Sequence, residues 1–445
     1  MADTIAAIAT PPGQGGVGII RISGNDALSV AKKISKLNQF EPRKVHFTSF
    51  HDNRQNQIDE GLLIYFKKPH SFTGEDIVEL QTHGSPVVLD MLVETVTRLG
   101  VRIARPGEFS ERAFLNGKID LTQAEAIADL IEAGSKQAAR MATRSLQGSF
   151  SKEINRLVEK LITLRMYVEA AIDFPEEEID FLSDSKVSND LQAIEDHLEN
   201  VLDKANQSYL VKEGMNLVIA GKPNAGKSSL LNALSGVDTA IVTNIPGTTR
   251  DTLKTHIQID GMPVHIIDTA GLRESEDIVE LEGIKRAKQE IEQADHILWV
   301  YDAEEMLDLI DIKKQHLPED IPVSFIKNKI DKINQPASLN KEKNEIAISA
   351  KNGTGLELVK QHLKNIMGYQ SDKEGDFLAR RRHLETLKLA KKHLQQANNA
   401  LHQLQAGELL AEELRLTQKE LNEITGEFTS DDLLGKIFSS FCIGK

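Results

Sequence analysis

Residues 221–229, GKPNAGKSS, decide the fold of the region around them. They fit G-x-x-x-x-G-K-[ST], with the apolar run MNLVIA just before and the helical LLNAL just after. A strand, a glycine-rich turn and a helix in that order form a P-loop. Gly221 and Gly226 let successive backbone N–H groups curl around phosphates, and the helix N-terminus adds a favourable dipole. Lys227 is placed for the β- and γ-phosphates and the Ser228 hydroxyl for Mg²⁺. Asn224, Ala225 and Ser229 complete the predicted loop.

Four further motifs follow in the order a GTPase requires. In TNIPGTT, Thr243, Asn244, Ile245, Pro246 and Gly247 lead to Thr248 and Thr249, which supply a switch threonine for the Mg²⁺ shell. In DTAG, Asp268 ends a strand and holds the metal through water. Thr269 and Ala270 follow it, and Gly271 offers an N–H to the γ-phosphate. Asn328, Lys329 and Asp331 stand in NKID; Ser349, Ala350 and Lys351 form SAK. The Asp331 carboxylate, expected to be buried, accepts from both the ring N–H and the exocyclic amine of guanine. Adenine leaves it badly paired, so the base is guanine. After DTAG, where a Ras-type enzyme has glutamine, this chain has Leu272, which cannot orient water. Asn224 either shapes the loop or gives a neutral oxygen to a monovalent cation near the phosphates.

Outward from this region, MNLVIA, PVHIIDTA, HILWVYDA, PVSFIKNK and EIAISA read as buried strands of a mostly parallel α/β sheet over 214–370. The flanks at 119–213 and 371–445 read as helical. Leu157, Leu161, Leu164 and Val168 make one stripe, Leu387, Leu394 and Leu401 another, and Leu410, Leu414 and Leu421 a third. The predicted architecture is therefore a discontinuous all-α domain with an α/β domain inserted, although periodicity cannot show that the two helical blocks meet. Residues 1–118 read as α+β. GVGIIRISG, GLLIYFKK and DIVELQTH are strands, and SPVVLDMLVETVTRLG is a helix ending at Gly100. Gly13, Gly15 and Gly18 have G-x-G-x-x-G spacing, but prolines precede them and a strand follows, so they are turn glycines.

Composition bounds the rest. With 445 residues the chain has room for several cores, and its net charge of −14 argues against coating nucleic acid by bulk electrostatics. The clearest basic run, Arg380, Arg381, Arg382, Lys388, Lys391 and Lys392, reads better as a solvated helix face than as an RNA patch. A single cysteine excludes an internal disulfide and suits a reducing compartment. No signal peptide or membrane-length apolar run is evident, so a cytoplasmic protein without membrane contact is expected.

ATPPGQGGVGIIRISG, SFTGEDIVELQTHG, RPGEFSERAFLNGKIDLTQAEAIADLI, the GKPNAGKSS and IPGTTRD segments, and FTSDDLLGKIFSSFCIGK together resemble the MnmE (TrmE) family of tRNA-modification GTPases, from end to end. The resemblance implies a folate-binding, dimerising N-terminal domain and a homodimer with a K⁺-stimulated GTPase. It also implies an FAD-containing partner, MnmG, with which aminomethyl or carboxymethylaminomethyl groups are installed on the wobble uridine of certain tRNAs. By position, Asn224 falls on the K⁺-ligating asparagine of the family, with Thr243, Ile245 and Thr248 around the ion. Ser228 and Thr249 fall on the Mg²⁺ ligands. Glu280 falls on the acid that positions water indirectly, although its own surroundings read as a solvated helix. Arg21, Glu79, Lys118 and Lys445 fall on contacts to 5-formyl- or methylene-tetrahydrofolate, whose glutamate tail and pterin edge suit basic groups and one carboxylate. The competing classes are a ribosome-assembly switch, which would be expected to carry a basic RNA module, and a dimerising scaffold moved by its G domain.

SFCIGK carries the lone Cys442. Its last four residues outline a prenylation box, but Lys445 is not a usual final residue and Gly444 is a poor aliphatic position. Leu434, Ile437, Phe438 and Phe441 run i, i+3, i+4, i+7, with Thr429 or Ser430 as cap and Asp431 and Asp432 in the first turn. Cys442 is thus expected at the end of a packed helix. The resemblance brings it towards the folate chemistry, as a catalytic or positioning thiol or as a buried small residue.

Overall fold

The computed structural model describes residues 3–173, 185–222, 224–235, 254–259, 262–268, 294–305, 318, 321–367, 376–427, 431–439 and 441. Along the chain run β1 (Ile5–Ile8), β2 (Gly15–Ser23), α1 (Ala27–Ser35), β3 (Val45–His51), β4 (Gln57–Phe66) and β5 (Ile77–Gly84). Next come α2 (Pro86–Arg98), β6 (Arg102–Ile103), α3 (Glu108–Leu115), α4 (Leu121–Glu132), α5 (Lys136–Leu146), α6 (Ser149–Asp173) and α7 (Ser185–Glu213). They are followed by β7 (Met215–Gly221), α8 (Lys227–Ser235), β8 (Lys254–Ile259), β9 (Met262–Asp268), β10 (His296–Asp302) and β11 (Val323–Asn328). The described elements end with β12 (Ser338–Asn340), β13 (Glu345–Ala347), α9 (Leu356–Ile366), α10 (Arg381–Asn399), α11 (Gly407–Thr425) and α12 (Asp431–Ser439). They fall into two compact units, Met1–Ile131 with Thr143–Leu198 and Glu385–Lys445, and Glu132–Ala142 with Glu199–Leu384.

The first unit holds a sheet ordered β3-β4-β5-β2-β1-β6, antiparallel except where β1 lies beside β6. Alternate residues Ile20, Ile22, Val78 and Leu80 face α1 and α2, burying Val30, Ile34, Leu92 and Val96. Gly18 has no side chain because Leu89 of α2 comes down on it: a Cβ there would stand 2.8 Å from the Leu89 methyls. A strand and no helix is found at the G-x-G-x-x-G glycines, but only Gly13 precedes it; Gly15 and Gly18 are strand residues, paired with Gly84 and Thr82 of β5, and not turn glycines as expected. Pro86 opens α2, and the chain leaves it at Gly100 with φ +94.

The helical stripes are buried as the sequence predicts. Leu157, Leu161, Leu164 and Val168 of α6, and Leu410, Leu414 and Leu421 of α11, are at most 2% exposed. Each such side chain is worth roughly 1.5–3 kcal/mol of burial. α6 packs on α11, and Arg165 donates to Gln418 at 2.7 Å. The two helical blocks therefore meet, which periodicity left open. On α12, Ile437 and Phe438, with Phe441 just beyond it, pack on Phe114, Leu121 and Ala124. A Cβ on Gly107, the N-cap of α3 with φ +66, would stand 2.3 Å from the Phe438 carbonyl oxygen. The end of α12 thus sits directly on the start of α3.

A charged network ties the N-terminus to this frame. Arg112, 9% exposed, donates to the Asp3 carbonyl and carboxylate at 2.7 Å, to Glu108 at 3.1 Å and to Glu75 at 3.2 Å. Arg102 forks onto the same Glu108 carboxylate at 2.6 and 3.1 Å. Hydrogen bonds from Arg102 hold Asp3 at about 2, against the upward push of partial burial. Burial pushes Glu108 up, yet bonds from Arg102, the Arg105 N–H and Arg112 bring it below the usual carboxylate range.

The second unit is built on a sheet ordered β12-β13-β11-β10-β7-β9-β8. Its inner strands are parallel, while β8 and β12 are antiparallel edges. Leu217, Ile219, Leu298, Val300, Ile326 and Ile346 are buried against Leu230 and Leu234 of α8 and Val359 and Leu363 of α9. The carboxyl ends of β7, β11 and β13 carry the P-loop, NKID and SAK motifs, and the backbone of Asp268 closes β9 at the same edge. In open parallel sheets that edge is where ligands bind. Among the described residues no helix is long and apolar enough to cross a membrane.

Candidate nucleotide site

β7 delivers the chain to Gly221, whose φ of +138 turns it sharply out of the sheet. A Cβ at Gly221 would lie 2.0 Å from the Val300 carbonyl oxygen, and one at Gly226 2.2 Å from the Asn328 amide nitrogen. Both glycines are therefore demanded by backbone conformation and by close approach. Asn224 is also left-handed, at φ +62, and exposed at the loop crest. Lys227 closes the loop on itself, donating to the Gly221 and Lys222 carbonyls at 2.8 and 2.9 Å. Ser228 and Ser229 are exposed in the first turn of α8, at the helix end whose dipole favours an anion.

The NKID loop is locked to the P-loop by Asn328, which is 2% exposed. Its amide donates to the Ala225 carbonyl at 2.9 Å, while its oxygen accepts from the N–H groups of Lys329 at 2.8 Å and Ala350 at 3.0 Å. One side chain thus joins three of the motifs. Lys329, at φ +67, reaches back to donate to the Asn224 carbonyl at 2.6 Å and to Asp302 at 2.8 Å. Ser349 donates to one Asp331 carboxylate oxygen at 2.5 Å, and that bond chiefly holds Asp331 below the usual range. Asp331 is exposed and not buried as expected, because it lies on a one-turn 3₁₀ helix, Ile330–Lys332, of which only Ile330 enters the core. Lys351 is likewise exposed.

The backbone of Asp268 ends β9, paired with Ile219 of β7. Thr243, Asn244, Ile245, Pro246, Gly247, Thr248, Thr249, Thr269, Ala270, Gly271 and Glu280 lie outside the described residues, as do Cys442 and Lys445. Asp302 belongs to this constellation although no motif marks it. Its one signal in the sequence is an acid closing an otherwise apolar strand, HILWVYD.

In the first unit, Arg21 and Glu79 face each other across β2 and β5 and form an ion pair at 2.8 Å. The Arg21 guanidinium lies 5.9 Å from the ring centre of buried Phe109 on α3. Lys118 is exposed and donates to the Pro69 carbonyl at 3.0 Å, so it is anchored separately, in the segment after β4.

A parallel sheet with a P-loop, tied through Asn328 to guanine-type and SAK loops, defines the class: a P-loop GTPase domain inserted in a helical, multidomain chain. Residues 4–118 match the family model for the GTP-binding protein TrmE N-terminus, and residues 121–442 that for the MnmE helical domain. Proteins named tRNA modification GTPase MnmE from Vibrio cholerae and Legionella pneumophila are each 58% identical, and one from Pseudoalteromonas translucida is 59% identical. Each alignment covers 100% of this chain and 99% of the relative. The chain belongs to the MnmE family.

Proposed function

We propose that this chain is a K⁺-dependent GTPase that works with an FAD-containing partner, MnmG, on the wobble uridine of certain tRNAs. The coarser statement, a GTP hydrolase of tRNA modification, follows from family membership. The observation that supports the nucleotide assignment is that Asn328 and Lys329 bond the P-loop carbonyls of Ala225 and Asn224, while Ser349 bonds the Asp331 carboxylate of the same NKID motif. In the finer reading, an aminomethyl or carboxymethylaminomethyl group is added at C5, using a one-carbon unit of tetrahydrofolate. The chain acts as a cytoplasmic homodimer activated by G-domain dimerisation. Its segments are an N-terminal domain, 1–118, helical parts at 119–213 and 371–445, and a G domain at 214–370.

Ser228 and Thr249 hold Mg²⁺, which supplies positive charge to the phosphates. Asn224 gives its side-chain oxygen to K⁺, beside Thr243, Ile245 and Thr248; its left-handed, exposed position at the loop crest supports that role. Glu280 positions the attacking water indirectly, since Leu272 stands where a Ras-type enzyme has its glutamine. Arg21, Glu79, Lys118 and Lys445 hold folate, with Cys442 alongside. The seat of α12 on α3, whose Phe109 underlies Arg21, supports a site completed by the chain end.

Nucleoside mass spectrometry of tRNA from cells lacking the protein tests the function. Loss of the C5 modification, restored by the wild type and not by Lys227→Ala, is expected. Normal modification in the deletion strain overturns it in favour of a switch of another kind, and rescue by Lys227→Ala favours a scaffold. For the cation, GTP turnover should fall about tenfold or more when Na⁺ replaces K⁺, as removing one charge-stabilising group does. Asn224→Ala should lose that dependence; equal rates of the wild type in both salts refute it.

A further inference from the structure

Lys329 has to cross from the base-reading loop to the P-loop, and an ammonium on a flexible four-carbon stem does not hold one position unaided. Two acceptors fix it, the Asn224 carbonyl at 2.6 Å and one carboxylate oxygen of Asp302 at 2.8 Å. Asp302 ends β10 directly opposite Asn328 in the β10–β11 ladder, and the next N–H, of Ala303, donates to the Asn328 carbonyl at 2.8 Å. The acid is thus registered to the base-reading loop by main-chain bonds on both sides. Its second oxygen accepts the Glu304 N–H at 3.2 Å, and Lys332, itself bonded to Glu304 at 2.6 Å, adds a contact at 3.2 Å. The Asp302 side chain is only 16% exposed.

We propose that Asp302 is a positioning residue for guanine-nucleotide binding, acting through Lys329. It pins the ammonium so that the Lys329 stem lies across the P-loop as a fixed apolar ledge for the purine face, beside Asp331, which reads the purine edge. The inference rests on the guanine reading above. Burial pushes the Asp302 carboxyl up, but bonds from Lys329, the Glu304 N–H and Lys332 outweigh it and hold the group at about 2, so the pin stays charged at any working pH. A carboxylate whose only task was to brace the 3₁₀ turn would need Lys332 alone, and Lys332 is already held by Glu304.

The test is a double-mutant cycle on the full chain, read as GDP affinity with a fluorescent GDP analogue. Asp302→Asn keeps an acceptor oxygen and removes the charge. It should weaken GDP about 10- to 100-fold, the size of a lost charged hydrogen bond. In a Lys329→Ala background the same change should add less than about twofold, because the ammonium it holds is gone. Unchanged GDP affinity in Asp302→Asn overturns the proposal. So does a full additional loss in the Lys329→Ala background, which would mean that Asp302 acts through the fold. A wild-type chain that fails to bind GDP, or binds ADP equally well, overturns the guanine reading itself and is told apart by that control.

Discussion

Asp331→Asn should weaken GTP and GDP binding by roughly three to four orders of magnitude while creating affinity for xanthine nucleotides. Ser349 donates to one carboxylate oxygen at 2.5 Å and so fixes the rotation of the group, while a second lone pair on that oxygen and the other oxygen remain for the ligand. Guanine offers two donors there, its ring N–H and its exocyclic amine. An asparagine amide meets the second donor with a donor of its own and leaves both unpaired. Xanthine carries a carbonyl in place of the amine, so the same amide pairs with it twice. Titration of wild type and variant with GDP and XDP checks the exchange, and a variant that still prefers GDP sinks the assignment of Asp331 as the base reader. The fold should be indifferent to the change, since the residue is exposed.

The second large effect is on stability. Arg112→Met should cost about 3–5 kcal/mol, because it removes the ion-pair partner of the largely buried Glu75 and one of the three arginines that hold the buried Glu108. For a unit of this size that is about a 6–15 °C fall in melting temperature. Its pH dependence has a definite sign. Asp3 and Glu108 have folded pKa values below their unfolded ones, so their contribution is complete above the ordinary carboxylate range. It is lost as pH falls through the folded values, towards about 2 for Asp3. The difference between wild type and variant should therefore be widest near neutrality and narrow below about pH 4. Thermal melts at neutral and acid pH measure it, and a gap that widens in acid contradicts the network. Asp3 is partly exposed, so Glu108 should carry most of the effect.

How much was legible follows from the length and cleanness of each pattern. β2, β4, β5, β7, β10 and β11 have apolar runs long enough to stand out, and the stripes of α6 and α11 repeat over several turns. β3 escaped because Val45 and Phe47 face outward and only Thr48 and Phe50 turn inward, so its alternation points to no core. β8 and β12 are antiparallel edges, where one neighbour replaces two and little apolar surface is needed. The nucleotide loops were readable since phosphate and guanine impose residue types at fixed spacing. Asp302 was not, because an acid at a strand end becomes meaningful only when a lysine 27 residues later is brought to it.

The sequence by itself determined the local pattern: which turn has the P-loop form, where the NKID and SAK motifs fall, that Gly221 and Gly226 are needed, and which helical faces are apolar. Each of these depends on neighbours within a few residues, where backbone geometry dictates side-chain placement. Only the tertiary structure decided that α6 and α11 form one core, that α12 seats on the start of α3, and that Asp302 pins Lys329. These are long-range contacts. Several partners of matching hydrophobicity or charge were available to each, and the choice among them was made by packing of the whole unit.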